Sequence, residues 1–135
     1  MQNTKSKIIS VEKYLRRFVA IESADKNDIE KQCKKILKLL DANENEEPML
    51  NILCSFENGK WRVIIFPRQK QRSSHFFRND KKQIVASPAA VELGGTLVLP
   101  REEDFNKITK KELVEIYEEV TISKDLFENL KLNIR

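Results

Sequence analysis

Apolar residues recur along this chain with two different periods, and the change between them divides it. Val11, Leu15, Phe18 and Val19 fall at helical spacing, which predicts a helix capped by Ser10 and running to about Glu22. The polar stretch Ser23 to Asp28 breaks it. Ile29, Cys33, Ile36, Leu37 and Leu40 then share one face of a second helix, with Lys31, Lys34, Lys35 and Lys38 elsewhere. Asp41 to Pro48 reads as an acidic, turn-like loop. From Leu50 the period drops to two: Leu50, Ile52, Cys54 and Phe56 alternate with Asn51, Leu53 and Ser55, a strand pattern. Asn58-Gly59 is a strong hairpin signal, and Trp61 to Phe66 returns as a strand apolar at most positions, hence central. Lys82 to Ala86 reads as a short strand, Ser87 to Ala90 as a turn or single helical turn, and Thr96 to Leu99 as a buried strand stopped by Pro100. Thr109 and Glu112 form a capping box ahead of Leu113, Ile116, Tyr117 and Val120. Ser123 caps a last helix carrying Leu126, Phe127, Leu130 and Ile134.

These elements add up to an α+β fold: an antiparallel sheet of about four or more strands flanked by helices. The expected layout is a single domain with residues 1–9 frayed, N-terminal helices over 10–42, and the sheet with C-terminal helices over 48–135. The length of 135 residues suits one hydrophobic core, and 40% apolar with 34% charged residues excludes a disordered chain. The apolar runs are too short for a membrane span, and no apolar signal core follows the N-terminus, so the expectation is a cytoplasmic protein. Cys33 and Cys54 lack metal-ligand spacing and read as free thiols. A net charge of +4 permits anionic partners without demanding nucleic acid.

The chemistry concentrates after the central strand. From Asn58 to Asn79 there are six Lys or Arg and no Asp or Glu. Arg68, Lys70 and Arg72 are spaced by two, so continued extended geometry would point all three to one side. Arg68 and Arg72 suit bidentate phosphate contacts, with Lys70 as a point charge; the competing reading is a solvated basic edge. His75 is the only histidine. It lies beside Ser73 and Ser74, a neighbourhood that does not establish a triad. A two-histidine metal site is impossible, and nothing calls for a cofactor. Gly94-Gly95 matches no phosphate-loop motif and permits close backbone approach to a strand or a ligand. Ser87 offers a hydroxyl to an anion or serves its turn. Phe76 and Phe77 read as core rather than base-stacking residues. Arg101 to Asp104 reads as a solvated acidic loop rather than a metal site.

Asn51-Ile52-Leu53, Trp61 to Phe66, Pro67-Arg68, Ser87 to Gly95 and Leu97 to Asp104 follow one another in a recognisable order. In this the chain resembles, from about Tyr14 to Leu130, the C-terminal half of nucleotide phosphorylases in the galactose-1-phosphate uridylyltransferase branch of the histidine-triad superfamily. Diadenosine tetraphosphate and GDP-hexose phosphorylases belong there, and the nearest likeness is to an uncharacterised bacterial family of that branch. The resemblance implies a histidine-triad-like fold. It also implies a parent reaction in which a histidine of a His-x-His motif attacks an α-phosphate, with cations around the phosphoryl oxygens. This chain has no His-x-His, and in such proteins that motif lies in the N-terminal half. The expectation is therefore a noncatalytic C-terminal half that helps bind a nucleotide or nucleotide-sugar through Arg68, Lys70, Arg72 and His75, with Asn51, Ser87 and Gly94 in support. Its partner would be an N-terminal catalytic domain or a second copy. The rival is a structural domain that docks or dimerises without binding nucleotide. Single-stranded nucleic-acid binding is the least supported reading.

Overall fold

A computed structural model describes residues 6–11, 14–40 and 47–134. Four strands form one antiparallel sheet: β1 (Lys7–Ile9), β2 (Val19–Ser23), β3 (Leu50–Glu57) and β4 (Lys60–Pro67), in the order β1-β2-β4-β3. β4 lies inside the sheet, as its apolar run requires. It joins β3 through Asn58 and Gly59, both at positive φ (52° and 75°), which is the turn whose twist matches a hairpin. The described residues also form five helices: α1 (Lys26–Leu40), α2 (Ala90–Gly94), α3 (Glu102–Lys107), α4 (Lys110–Val120) and α5 (Lys124–Ile134). A single 3-10 turn spans Ser74–Phe77.

The register decides what each face carries. Val19 is opposite Ile65 and Ile21 opposite Val63, so these four side chains share a face. Ile36 of α1 and Phe127, Leu130 and Ile134 of α5 cover them, making the larger core. On the other face Phe66 meets Leu93 of α2 and Tyr117 of α4, with Leu15 and Phe18 packed alongside. Ile84 and Ala86 form a third cluster with Ile116 of α4, and Leu99 and Ile108 pack against it. Each buried Val, Leu, Ile or Phe among them contributes roughly 1.5–3 kcal/mol when taken from water.

Several expectations need correction. The helix expected over 10–22 does not form: Val19, Ala20 and Ile21 are consecutive buried residues of β2, flanked by a strand on each side. Residues 7–9, expected to fray, pair as β1. Lys82 to Ala86 forms no strand. The Ile84 amide donates to the His75 carbonyl at 3.1 Å and the Val85 amide to the Asp104 carboxylate at 2.9 Å, so loop groups do the work of a ladder. Thr96 to Leu99 is likewise irregular, with Val98 exposed. The acidic loop falls mostly on residues 41–46, outside the described residues. The capping box is present, Thr109 accepting from the Glu112 amide and donating its own amide to the Glu112 carboxylate. Among the described residues no helix is long and apolar enough to cross a membrane.

Candidate phosphate-binding site

β4 ends at Pro67, and the chain then leaves the sheet along the C-terminal end of α4. The Arg68 amide still donates to the Met49 carbonyl (2.8 Å), but the Gln69 amide donates to Val120 (3.1 Å) and its side chain to the carbonyl of Glu119 (3.1 Å). The extended geometry therefore ends at Arg68, the first cation of the row. Arg68, Lys70 and Arg72 do not share a side.

Arg68 turns back over β3. Its Nη1 donates to Asn51 Oδ1 at 2.9 Å, and its Nη2 to the carbonyls of Gln71 (2.8 Å) and Lys70 (3.1 Å). Its Nε is buried with no partner among the described residues. No carboxylate of those residues pairs with it within 4.0 Å. Burial pushes the guanidinium pKa down, and the Glu92 charge nearby pulls it partly back. Glu92 is itself tied to the start of α2, where it accepts from the Ala89 amide at 2.8 Å. The result is a half-buried cation held by neutral acceptors alone.

Arg72 follows to the same region. Its guanidinium lies 4.2 Å from the Phe76 ring centroid, and its Nε reaches Ser87 Oγ at 3.4 Å. Ser87 leads into α2, which packs on β3. Gly94 is where they touch: a Cβ there would lie 3.3 Å from Leu53 Cδ1. Its close approach is thus to a strand. Arg72 reaches the 87–94 segment at Ser87, Leu53 meets it at Gly94, and Arg68, held by Asn51, feels the charge of its Glu92. The carbonyl of Glu92 in that segment is fixed by Tyr117 Oη (2.9 Å) and Arg16 Nη1 (3.1 Å), so two distant elements hold it in place.

Lys70 and His75 go elsewhere. Lys70 Nζ faces Glu119 at 3.4 Å, and His75 Nε2 lies 2.9 Å from Glu115 Oε2. Glu119 also accepts from the Ser74 amide and hydroxyl (2.9 and 2.5 Å). Burial alone would raise the Glu119 pKa, but the Ser74 and Lys70 donors outweigh it and keep the carboxyl ionised below its usual range. A surface cavity of about 460 Å³ opens here, bordered by Lys70, His75 and Arg78 but also by Glu115, Glu118 and Glu119. Three carboxylates make it a poor anion site.

Two residues read differently in three dimensions. Phe77 is 70% exposed rather than core, while Phe76 lies under Arg72. Asp104, read as part of a solvated loop, is fully buried. Arg101 grips it through Nε (2.8 Å) and Nη2 (2.9 Å), Lys107 through Nζ (2.9 Å), and the Val85 amide at 2.9 Å. Burial would raise its pKa, yet these donors hold the carboxyl well below the usual range. The signal was present in the sequence: Arg101, Asp104 and Lys107 are spaced by three, one face of a helix. Among the described residues no group of three or more His, Cys, Asp or Glu side chains is placed to hold a metal.

Along residues 1–135 the chain matches the family described as GDPGP1-like, C-terminal domain. No curated protein and no solved structure matches it.

Proposed function

The chain belongs to the GDPGP1-like C-terminal domain family, and from that membership we propose that it is the nucleotide-gripping C-terminal part of a phosphorylase-like protein. The ligand class is a nucleotide or nucleotide-sugar, held through its phosphates. Arg68 carries this reading, because a half-buried guanidinium supplied only with neutral acceptors keeps its charge available. A phosphate oxygen that replaced one of those carbonyls would pair the guanidinium with an opposite charge, which its present partners do not supply. Arg72 would add a second cation, braced by Phe76 and Ser87. Asn51 orients Arg68, and Gly94 lets the 87–94 segment close over β3. Lys70 and His75 stand outside this grip, since each already faces a carboxylate.

The role is to position and neutralise phosphoryl oxygens while another group reacts. On this reading the reacting group would come from a partner domain, since the single histidine of this chain already faces Glu115. A cytoplasmic setting goes with such ligands.

The test is a thermal-shift series with purified protein and millimolar GTP, ATP, GDP-sugar, UDP-sugar or inorganic phosphate. One nucleotide class should stabilise the fold, by about 1.4 kcal/mol at ten times its Kd. The Arg68→Ala/Arg72→Ala protein should keep its circular dichroism spectrum and lose the shift. An equal shift in that double variant, or no shift with any nucleotide, would overturn the assignment.

A further inference from the structure

The helical layer stops one strand short of the sheet edge. Ile52 is opposite Ile65 and Cys54 opposite Val63, so all four side chains lie on the α1 face. Ile65 and Val63 are 1% and 6% exposed, whereas Ile52 is 47% exposed and Phe56, further along β3, is 56% exposed. α1 packs over β2 and β4, and β3 keeps an open apolar row beyond it. β3 is also an edge strand, with one side of its backbone unpaired in the sheet among the described residues. Exposed edges are commonly blunted by shortness, lysine, proline or a bulge. The opposite edge, β1, follows that rule, being three residues long and starting with Lys7. β3 follows none of it: its eight residues pair with β4 without a break in register, and its only charge is the terminal Glu57.

The sequence of β3 is also self-complementary. In an antiparallel pair centred on Leu53, Leu50 would oppose Phe56 of the second copy, Ile52 would oppose Cys54, and Asn51 would oppose Ser55. Apolar meets apolar on the α1 face, Asn51 meets Ser55 and Leu53 meets its own copy on the other, and no like charges meet. A shift by one residue would set Ile52 against a position of the opposite face. We propose that β3 pairs antiparallel with β3 of a second copy, about a twofold axis through Leu53, joining the two sheets into one. This inference is independent of the nucleotide reading.

Sedimentation velocity from low micromolar to submillimolar concentration tests it. The wild-type chain should pass from monomer to dimer. Ile52→Lys should weaken the dimer at least about tenfold by placing a charge in the apolar row. Leu132→Lys on α5, at a side chain 73% exposed, should leave it unchanged. The register has its own readout. The Ile52→Cys chain should cross-link rapidly through Cys54 of the other copy under mild oxidation, because directly opposed residues fall within disulfide reach. Wild-type Cys54 faces Ile52 and should not. A monomer at every concentration, a dimer indifferent to Ile52→Lys, a dimer broken by Leu132→Lys, or an Ile52→Cys chain that cross-links no faster than wild type would each overturn the proposal. If Ile52→Lys fails to fold, the cross-linking rates decide.

Discussion

Asp104, buried in α3, and Arg68, half-buried just after β4, are two charged groups that this fold takes from water, and they are treated in opposite ways. Asp104 is given everything a carboxylate accepts: a two-point grip from Arg101, the Lys107 ammonium and a backbone amide. Arg68 is given only the Asn51 amide oxygen and two backbone carbonyls, and its Nε is left over. A closed charge network ties α3 to the 83–85 segment and has nothing left to bind with. An arginine with neutral partners is positioned but not neutralised. The contrast separates a residue whose charge is consumed by the fold from one whose charge remains for a ligand.

The largest effect should come from opening the closed network. Asp104→Ala should cost about 3 kcal/mol or more, because it leaves cationic donors and the Val85 amide unanswered, and should lower Tm on the order of 10 °C. A loss under about 1 kcal/mol in urea unfolding would mean the network is ornamental. Its pH dependence has a definite sign. Asp104 is held below its unfolded pKa, so the unfolded chain takes up the proton first as pH falls. The stability it contributes is present above about pH 4 and is lost progressively below it. Asp104→Asn should therefore flatten the acid limb of a stability–pH curve.

Arg68 should respond in affinity more than in stability. Arg68→Ala should lose about tenfold or more in nucleotide affinity, while costing about 1 kcal/mol of folding free energy. Arg68→Lys should recover only part of the binding, since a point charge cannot hold Asn51 and the Gln71 carbonyl at once. Isothermal titration separates these, and a lysine variant that binds like wild type would show that the fork does not matter. The smallest effect belongs to Lys70→Ala, which removes an exposed pair with Glu119 worth less than about 0.5 kcal/mol. Nucleotide affinity should not change. If it fell as far as in Arg68→Ala, the cation row would be acting as one unit after all.

The sequence made the hairpin, α1, α4 and α5 legible because each carries its full period and its punctuation: Asn58-Gly59, Thr109 with Glu112, and Ser123 before α5. It hid β2 because Leu15, Phe18 and Val19 mimic one helical face, whereas Leu15 and Phe18 belong to an irregular strap over the second core and Val19 to a strand. A short apolar run carries too little periodicity to separate the two. Lys82 to Ala86 failed the other way. Its alternation is real, with Ile84 and Ala86 buried, but among the described residues no strand pairs with it to form a ladder. The candidate site was legible in residue type and hidden in direction. Spacing by two put three cations on one side only while the strand continued, and Pro67 ends the strand just before them.

The hairpin turn also has a consequence in time. A chain synthesised from its N-terminus makes β2 well before β4, its eventual neighbour, so Val19, Ala20 and Ile21 wait uncovered until the hairpin exists. Closing β3 onto β4 is a local event on the order of microseconds, helped by two residues already disposed to positive φ. Capture of β2 by β4 must span the whole of α1 and is the slower, nonlocal step. Gly59→Ala would strain the turn at φ 75° without touching any neighbouring atom. In stopped-flow refolding it should slow folding more than it speeds unfolding, marking the turn as the point from which the sheet grows.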